Sequence, residues 1–513
     1  MSFLLAIVSG LLTALCFPKF DLFFLAWICL IPLLFSLLKK KPRQAFRIGF
    51  VGGFVYYAVL LYWIPYVPAH YGGLSPVLSG IIYLVLVVFM AFSWGGFAFV
   101  FGRVGVSFPR GALVAAPLIW ISWEYIFTYL FTGFPWGLLG YSQVRNLSFL
   151  QLASVTGVFG LSFALVLLQS LFVLSIAARK RAPFFFGLSV VLFLHAAGLM
   201  SLKAPLPEGE PFPVAVIQGN VSSDIYWDRI SGEEIGKLFD RHLELSRRAA
   251  ADGAGLIIWP EFSVPLCLSC PDPLYVHLKE ILFDFVRTTG RTLLLGTNET
   301  TVQKGEPLYL NTALCLHPDL SMTQYHKMHL VPFGEYTPYK KVFSFIEKVT
   351  HAIGTVTPGR SQVLHSYAGK KFGTPICYEI IFPGLVRKFT KKGAQFLVTI
   401  TNDGWYGESA SPQQHFLIAV FRAVENRRYL LRAATTGISG IVDPYGRVLA
   451  RSRLMTETYL SGRIRPIERL SFYARHGDVL PYISLTLSGI LFILALIKSA
   501  NERKKSHPRG QAN

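Results

Sequence analysis

The chain has 513 residues, of which 52% are hydrophobic and 15% are charged, and its formal net charge is +20. This composition is too apolar for an ordinary soluble protein. The basic residues form no single cluster and no nucleic-acid-binding motif, so we expect no nucleic-acid partner. Six cysteines are too few and too scattered for a disulfide scaffold.

Eight apolar segments are long enough to cross a bilayer as helices, seven before residue 205 and one after residue 478. They are predicted at 3–18, 22–38, 47–66, 77–101, 112–131, 153–177, 183–201 and 479–497. The first lacks a basic start and a small-residue cleavage site, so we predict that it is retained. The chain then divides into a membrane domain (1–204), a water-soluble domain (205–475), and a last span with a basic tail (476–513).

Lysine and arginine residues concentrate in alternate loops. They follow the second, fourth, sixth and eighth spans, whereas the loop at 67–76 carries none. Because basic loops remain in the cytoplasm, both termini are predicted to be cytoplasmic. The water-soluble domain is then predicted to face outward.

Glu124 lies within the fifth apolar segment. An ionisable group at that depth can line a functional cavity. It can also lie near a helix end, where its carboxylate reaches interfacial water. The sequence leaves both interpretations open.

The segment 205–475 alternates short β-type runs with helical stretches. Strands are predicted at 214–217, 256–259, 292–295, 396–400 and 440–442, and helices at 232–251 and 412–431. This pattern predicts an α/β sandwich that encloses one core.

Three polar residues, Glu261, Lys327 and Cys377, stand at or near the ends of predicted strands. A cysteine attacks as the thiolate, so it needs a base or a nearby positive charge. Glu261 can remove the thiol proton. Lys327, with the backbone N–H of Tyr378, can stabilise a tetrahedral oxyanion. Taken alone, a buried cysteine is more often an inert apolar residue. A glutamate at a strand end is more often a surface or capping carboxylate, and a lysine such as Lys327 is more often a solvated loop residue. Spacing alone therefore does not establish a site.

Cys267 and Cys270 form a separate Cys-x-x-Cys pair. They can be a disulfide, half of a zinc site, or two unrelated thiols. A second Cys or His pair at zinc-like spacing is absent from the sequence, which argues against zinc. We predict a structural role and leave the pair outside the site.

Sequence motifs in both halves of the chain resemble those of known protein families. The runs at 259–261, 326–335 and 375–379 are similar to the Glu, Lys and Cys signatures of the nitrilase superfamily, and 401–407 resembles a loop downstream of its cysteine. Thr132 to Trp136, and a nitrilase-like domain inserted before the last of eight spans, narrow the resemblance to the apolipoprotein N-acyltransferase family. The resemblance covers nearly the whole chain. It implies a multi-pass α-helical membrane domain plus an α-β-β-α sandwich.

The resemblance also implies an activity in the last step of bacterial lipoprotein maturation. A phospholipid, with phosphatidylethanolamine expected, donates an acyl chain to Cys377 as a thioester. The chain then passes to the α-amino group of the diacylglyceryl-cysteine of an apolipoprotein. Glu261 is implied as the general base and Lys327 as the oxyanion stabiliser.

The same resemblance implies roles for further residues. Glu335 is implied as an auxiliary carboxylate, and Tyr378 and Glu379 as positions tied to activity. Trp405 and, with less certain spacing, Trp227 match substrate-contacting tryptophans. The expected location is the inner membrane, with a periplasmic catalytic domain. We expect no metal, no cofactor and a monomer.

Two other functions use the same features. A membrane-tethered amidase would resolve the same intermediate with water, although a simple tether would not require eight spans. A transporter or scaffold would only bind ligand in its outer domain, and Cys377→Ala would leave its function intact.

Overall fold

A computed structural model describes residues 1–205, 209–221, 231–263, 267–268, 270–303, 306–338 and 356–506. Trp227 and the last seven residues of the basic tail lie outside these ranges. The chain forms two compact units. The first contains Met1–Tyr62, Gly80–Lys203 and His476–Asn513, and the second contains Trp63–Ser79 and Ala204–Arg475.

The first unit is built from apolar helices. Among the described residues, five helices are long and apolar enough to cross a membrane: Pro76–Ser107, Pro109–Tyr129, Val158–Ala178, Ala182–Lys203 and Val479–Glu502. The last of these continues to Ser506. Shorter helices occupy Ser2–Leu15, Ile31–Leu37, Pro42–Leu60, Leu147–Leu150 and Ala153–Thr156.

Three predicted spans, 3–18, 22–38 and 47–66, fall on these shorter helices, so the count of eight spans stays a prediction. The first helix ends at Leu15, shortly before Pro18, which cannot donate a backbone hydrogen bond. The next α-helix begins only at Ile31 and carries Pro32 in its first turn, where proline is tolerated.

Glu124 is buried inside the first unit, with 9% of its surface exposed. Its Oε1 accepts hydrogen bonds from the indole Nε1 of Trp120 at 2.9 Å and from the backbone N–H of Leu139 at 2.8 Å. The carboxylate therefore holds the turn after the Pro109–Tyr129 helix and does not lie on the surface of the unit.

The second unit contains two six-stranded sheets. The first has the order β12-β1-β2-β3-β4-β5 and the second the order β11-β10-β9-β8-β7-β6. The strands are β1 Phe212–Gln218, β2 Leu256–Ile258, β3 Thr292–Gln303, β4 Glu306–Leu316, β5 Met322–His326, β6 Leu364–Tyr367, β7 Lys370–Gly373, β8 Phe396–Thr401, β9 Leu430–Ala434, β10 Gly440–Val442, β11 Val448–Arg451 and β12 Thr458–Ile464. The parallel pairs β1–β2, β2–β3, β7–β8 and β8–β9 form the centres of the sheets.

Helices pack on both sheets. Gly232–Ala251 and Pro273–Thr289 cover the first sheet in a core that includes Phe239 and Trp259, whose ring centroids are 5.9 Å apart. Pro383–Lys391 and Ser411–Asn426 pack on the second sheet, and Tyr66–His70 and Phe472–His476 are short helices. This arrangement agrees with the α/β sandwich predicted from the sequence.

One predicted helix, 412–431, is too long. The observed helix ends at Asn426, and Arg427 takes a left-handed conformation with φ of 51°. The next residues turn into β9, where Leu430 and Leu431 are fully buried. Their apolar side chains extend the helical pattern in the sequence although they belong to a strand.

Candidate active site

The site is assembled from segments that follow strands in both sheets. Glu261 comes three residues after β2 and is 2% exposed. Gly296 of β3 donates its backbone N–H to the carbonyl of Pro260 at 3.2 Å. A Cβ atom at Gly296 would lie 2.7 Å from the Cα of Glu261, so only glycine permits this close approach.

Lys327 directly follows β5 and is 1% exposed. Its Nζ donates to Oε1 of Glu261 at 3.2 Å and to Oε1 of Glu335 at 2.9 Å. The Nδ2 of Asn311 donates to the same two oxygens at 2.8 and 3.0 Å. Two carboxylates therefore share one buried ammonium. The amide of Asn311, which lies on β4, bridges the same two carboxylates.

The charge of Lys327 depends on these partners. Burial by itself lowers the pKa of the ammonium, but the carboxylates of Glu261 and Glu335 outweigh it and hold the pKa well above its ordinary value. Glu335 is held in place because its Oε2 accepts the backbone N–H of Val331 at 2.7 Å. Lys327 is thus a fixed positive charge that can stabilise an anion beside it.

Cys377 begins a short 3₁₀ helix, Cys377–Ile381, and is 8% exposed. Its φ of 49° lies in the left-handed region, which is uncommon for a residue with a side chain and costs energy. The preceding residue, Ile376, forms a parallel bridge with Ile400 of β8. The strained residue therefore lies where the chain leaves the second sheet.

Burial raises the pKa of the Cys377 thiol, and the carboxylate of Glu261 raises it further, whereas the ammonium of Lys327 lowers it. The thiol is therefore protonated at neutral pH and is not a nucleophile until a base removes its proton. Because Glu261 and Lys327 both act on its pKa, the three residues predicted from the sequence lie in one electrostatic environment.

Glu379 fixes the turn at the nucleophile and is fully buried. Its Oε2 accepts the backbone N–H of Ile376 at 2.8 Å. Its Oε1 accepts the hydroxyl of Tyr325 at 2.8 Å and the backbone N–H groups of Met328 and His329 at 2.7 and 3.1 Å. A single carboxylate thus connects the turn at Cys377 to the segment that follows Lys327.

Tyr378 lies beside this connection. Its ring packs against the rings of His329 and Phe382, with centroids 5.7 and 5.2 Å away. Burial raises the pKa of its phenol, so the group stays neutral.

The loop after β8 also contacts the site. The backbone N–H of Asn402 donates to Oε2 of Glu261 at 2.8 Å. Asp403 is fully buried and accepts from Arg432 at 2.7 Å, and its other oxygen lies 3.0 Å from Nδ1 of His415. Burial raises the pKa of Asp403, but Arg432 and His415 reverse this and lower it well below its ordinary value.

Sequence motifs identify the loop at 401–407, but neither the grouping of Asp403 with His415 and Arg432 nor the bridging role of Asn311. Asn402 and Asp403 follow a buried strand, which was a signal available in the sequence. The local sequence does not indicate that Asn311 bridges two carboxylates, because its partners are 24 and 50 residues away.

Trp405 belongs to a 3₁₀ turn, Asp403–Tyr406, and is partly exposed. The ring of Tyr71 packs edge-on against it at 4.8 Å, and the Tyr71 hydroxyl donates to the carbonyl of Gly404 at 3.2 Å. Trp63 packs edge-on against Tyr406 at 5.0 Å. The Trp63–Ser79 segment therefore supports this turn. The structure does not test the predicted contact of Trp227.

Cys267 and Cys270 form a disulfide. Between them, the backbone N–H of Leu268 donates to the buried carboxylate of Glu299 at 3.2 Å. The structural interpretation of this pair agrees with the observed bond. Among the described residues, no group of three or more His, Cys, Asp or Glu side chains is arranged to hold a metal ion.

Comparisons with known proteins place the chain in a family. A model described as the apolipoprotein N-acyltransferase N-terminal domain matches residues 9–171, and one described as carbon-nitrogen hydrolase matches residues 213–468. A crystallised amidase from Nesterenkonia sp. superposes with a TM-score of 0.38 at 20% identity, covering 53% of this chain and 96% of the amidase.

Relatives of full length are similar over both halves. A Geobacter metallireducens apolipoprotein N-acyltransferase is 39% identical over 505 residues, which cover 96% of this chain and 95% of the relative. The Azotobacter vinelandii and Chlorobaculum tepidum proteins of the same name are 32% and 30% identical, with coverage of 97% or more of every chain. With both halves matched at this identity, the chain belongs to the apolipoprotein N-acyltransferase family.

Proposed function

We propose that the protein transfers a fatty acyl chain from a phospholipid to the α-amino group of the N-terminal diacylglyceryl-cysteine of apolipoproteins. Family membership supports the N-acylation of apolipoproteins, which is the activity in the names of its full-length relatives. The observation that carries the mechanism is the buried group of Glu261, Lys327 and Glu335, in which the charges of Glu261 and Lys327 act on Cys377.

In the proposed first step, Glu261 removes the Cys377 proton and the sulfur attacks the ester carbonyl of the phospholipid. Lys327 stabilises the oxyanion of the tetrahedral intermediate, together with the backbone N–H of Tyr378. As the intermediate collapses, the ester C–O bond breaks, and Glu261 returns the proton to the departing lysophospholipid. The acyl chain remains on Cys377 as a thioester.

In the second step, the apolipoprotein amine attacks the thioester and Glu261 accepts the amine proton. The C–S bond breaks, and the Cys377 thiol is restored with a proton from Glu261. Glu335 holds Lys327 in position, and Glu379 holds the turn at Cys377. Both substrates use one pocket in turn, so ping-pong kinetics follow. Trp405, and Trp227 outside the described residues, are proposed to contact the lipid substrates.

We further propose the topology that the sequence predicts. The chain has eight spans and three parts, residues 1–204, 205–475 and 476–513. Both termini lie in the cytoplasm, and the catalytic domain lies in the periplasm. The excess of lysine and arginine in alternate loops supports this orientation. Phosphatidylethanolamine as the donor and a monomeric enzyme belong to the same proposal.

Intact-protein mass spectrometry tests the activity. Purified enzyme is incubated with phosphatidylethanolamine and no acceptor, beside Cys377→Ala. We expect an increase of one acyl mass that is absent from the variant and is released by a diacylated lipopeptide. Equally fast release by water would favour an amidase-like hydrolase. No adduct on folded protein would favour a protein that only binds its ligand.

A further inference from the structure

Thr401 hydrogen-bonds a buried carboxylate at the end of the strand that lies beside the nucleophile. Thr401 is the last residue of β8 and is fully buried. The bridge between Ile376 and Ile400 aligns this end of the strand with Cys377. The Thr401 hydroxyl donates to Oδ1 of Asp403 at 3.0 Å, and hydrogen bonding from the same side chain lowers the pKa of the Cys377 thiol.

A threonine hydroxyl carries one proton, so it cannot donate to Asp403 and to the sulfur at once. Asp403 does not depend on this proton, because Arg432 and His415 already pair with it at 2.7 and 3.0 Å. The Cys377 sulfur accepts only a weak hydrogen bond as a neutral thiol and a stronger one as a thiolate. Hydrogen bonds to charged groups are roughly twice as strong as neutral ones.

We propose that Thr401 is a further residue of the acyl-transfer site, whose hydroxyl turns from Asp403 to the Cys377 sulfur when the thiolate forms. The proposal rests on the proposed function for the role of Cys377. The thiol proton passes to Glu261, and Thr401 keeps its own proton throughout. Thr401 therefore stabilises the reactive anion without breaking any bond of its own.

The direction of each electrostatic effect agrees with this role. Burial, Glu261 and Asp403 raise the pKa of the thiol, whereas Lys327 and the Thr401 hydroxyl lower it. Lys327 also pairs with Glu261 and Glu335, so its positive charge acts on three groups once the thiolate forms. When the thiolate forms, the Thr401 hydroxyl can turn to it and stabilise its negative charge.

The test is the pH dependence of Cys377 alkylation by iodoacetamide, followed by peptide mass spectrometry on the purified full-length protein. Thr401→Val keeps the shape and branching of the side chain but removes the hydroxyl. We expect alkylation near pH 8 to slow by about tenfold, with the profile displaced to higher pH. Thr401→Ser restores the hydroxyl and should return the rate to within about threefold of wild type.

Thr399→Val is the matched control. Thr399 lies two residues earlier on β8, is fully buried, and its Oγ1 has no hydrogen-bond partner in the described part of the chain. Its substitution should leave the profile unchanged. If Thr401→Val does not fold, Thr401→Ala provides the same comparison.

Superimposable profiles for wild type and Thr401→Val, or equal slowing by Thr399→Val, would overturn the proposal. Iodoacetamide needs no lipid, so the assay reports on the thiolate even if the acyl-enzyme of the proposed function is never found. The two proposals can therefore fail independently.

Discussion

Lys327 shares one positive charge between two buried carboxylates, so its removal should affect stability as well as activity. At an effective dielectric constant of about 20, unit charges at 2.9 and 3.2 Å attract each other by about 5 kcal/mol per pair, before the cost of burial. Lys327→Met keeps the volume of the side chain and leaves Glu261 and Glu335 without a cation. Loss of one partner from a buried ion pair typically costs about 3–5 kcal/mol.

For a domain of this size, that loss corresponds to a fall in Tm of roughly 6–20 °C. Thermal unfolding of the detergent-solubilised protein measures it. Lys237→Met is the control, because Lys237 forms an exposed pair with Glu233 at 2.6 Å. Exposed pairs of this kind contribute about 0.5 kcal/mol or less, so this variant should unfold close to wild type.

The double variant Lys327→Met/Glu335→Gln provides the sharper test. It removes one of the two unpaired charges, so the group carries one net negative charge, as in the wild type. We expect it to recover a large part of the lost Tm and none of the activity, since the oxyanion still lacks a cation. A double variant less stable than Lys327→Met would refute the explanation by unpaired carboxylates.

Three more predictions concern other parts of the second unit. Burial lowers the pKa of His242 to about 4. The unfolded chain therefore takes up this proton first as the pH falls from about 6.5 to 4, and native stability should drop by about 3 kcal/mol over that window. Thermal unfolding from pH 7 to pH 4 measures the drop, and His242→Leu should lack that part of it. Gly437→Ala would bring a Cβ atom 2.3 Å from Oδ2 of Asp403, so we expect lower activity and a lower Tm than wild type. Tyr71→Ala removes the ring that packs on Trp405 and should raise the KM for phospholipid several-fold, whereas Tyr71→Phe keeps the ring and should change it little.

The sequence predicts the strands that carry the site because their residues are apolar throughout and are bounded by turn formers. Leu256–Ile258 and Phe396–Thr401 are fully buried strands, as their composition indicates. The sequence predicts the end of the Ser411–Asn426 helix less well. Strand β9 begins only three residues later, and the buried leucines of β9 continue the helical pattern.

The principal residues of the candidate site can be singled out from the sequence, as can the supporting carboxylates Glu335 and Glu379, but the support from Asn311 cannot. Glu261, Lys327 and Cys377 are recognisable by chemistry and by their motifs. The support from Asn311 depends on pairing between strands, because its amide reaches Glu261 and Glu335 only once β4 lies beside β3 and β5. Hydropathy locates the five helices that are long and apolar enough to cross a membrane among the described residues, but it does not indicate that Trp63–Ser79 packs with the second unit.

The packing of Trp63–Ser79 has a consequence for biosynthesis. The indole of Trp63 donates to Oε1 of Gln414 at 3.2 Å across 351 residues of chain. At about 5–20 residues per second, a ribosome needs roughly 20–70 seconds to synthesise the intervening segment. During that interval Gln414 and Trp405, against which Trp63 and Tyr71 pack, have not yet been synthesised. The turn that carries Trp405 can therefore reach its final packing only late in translation, after most of the enzyme has been made.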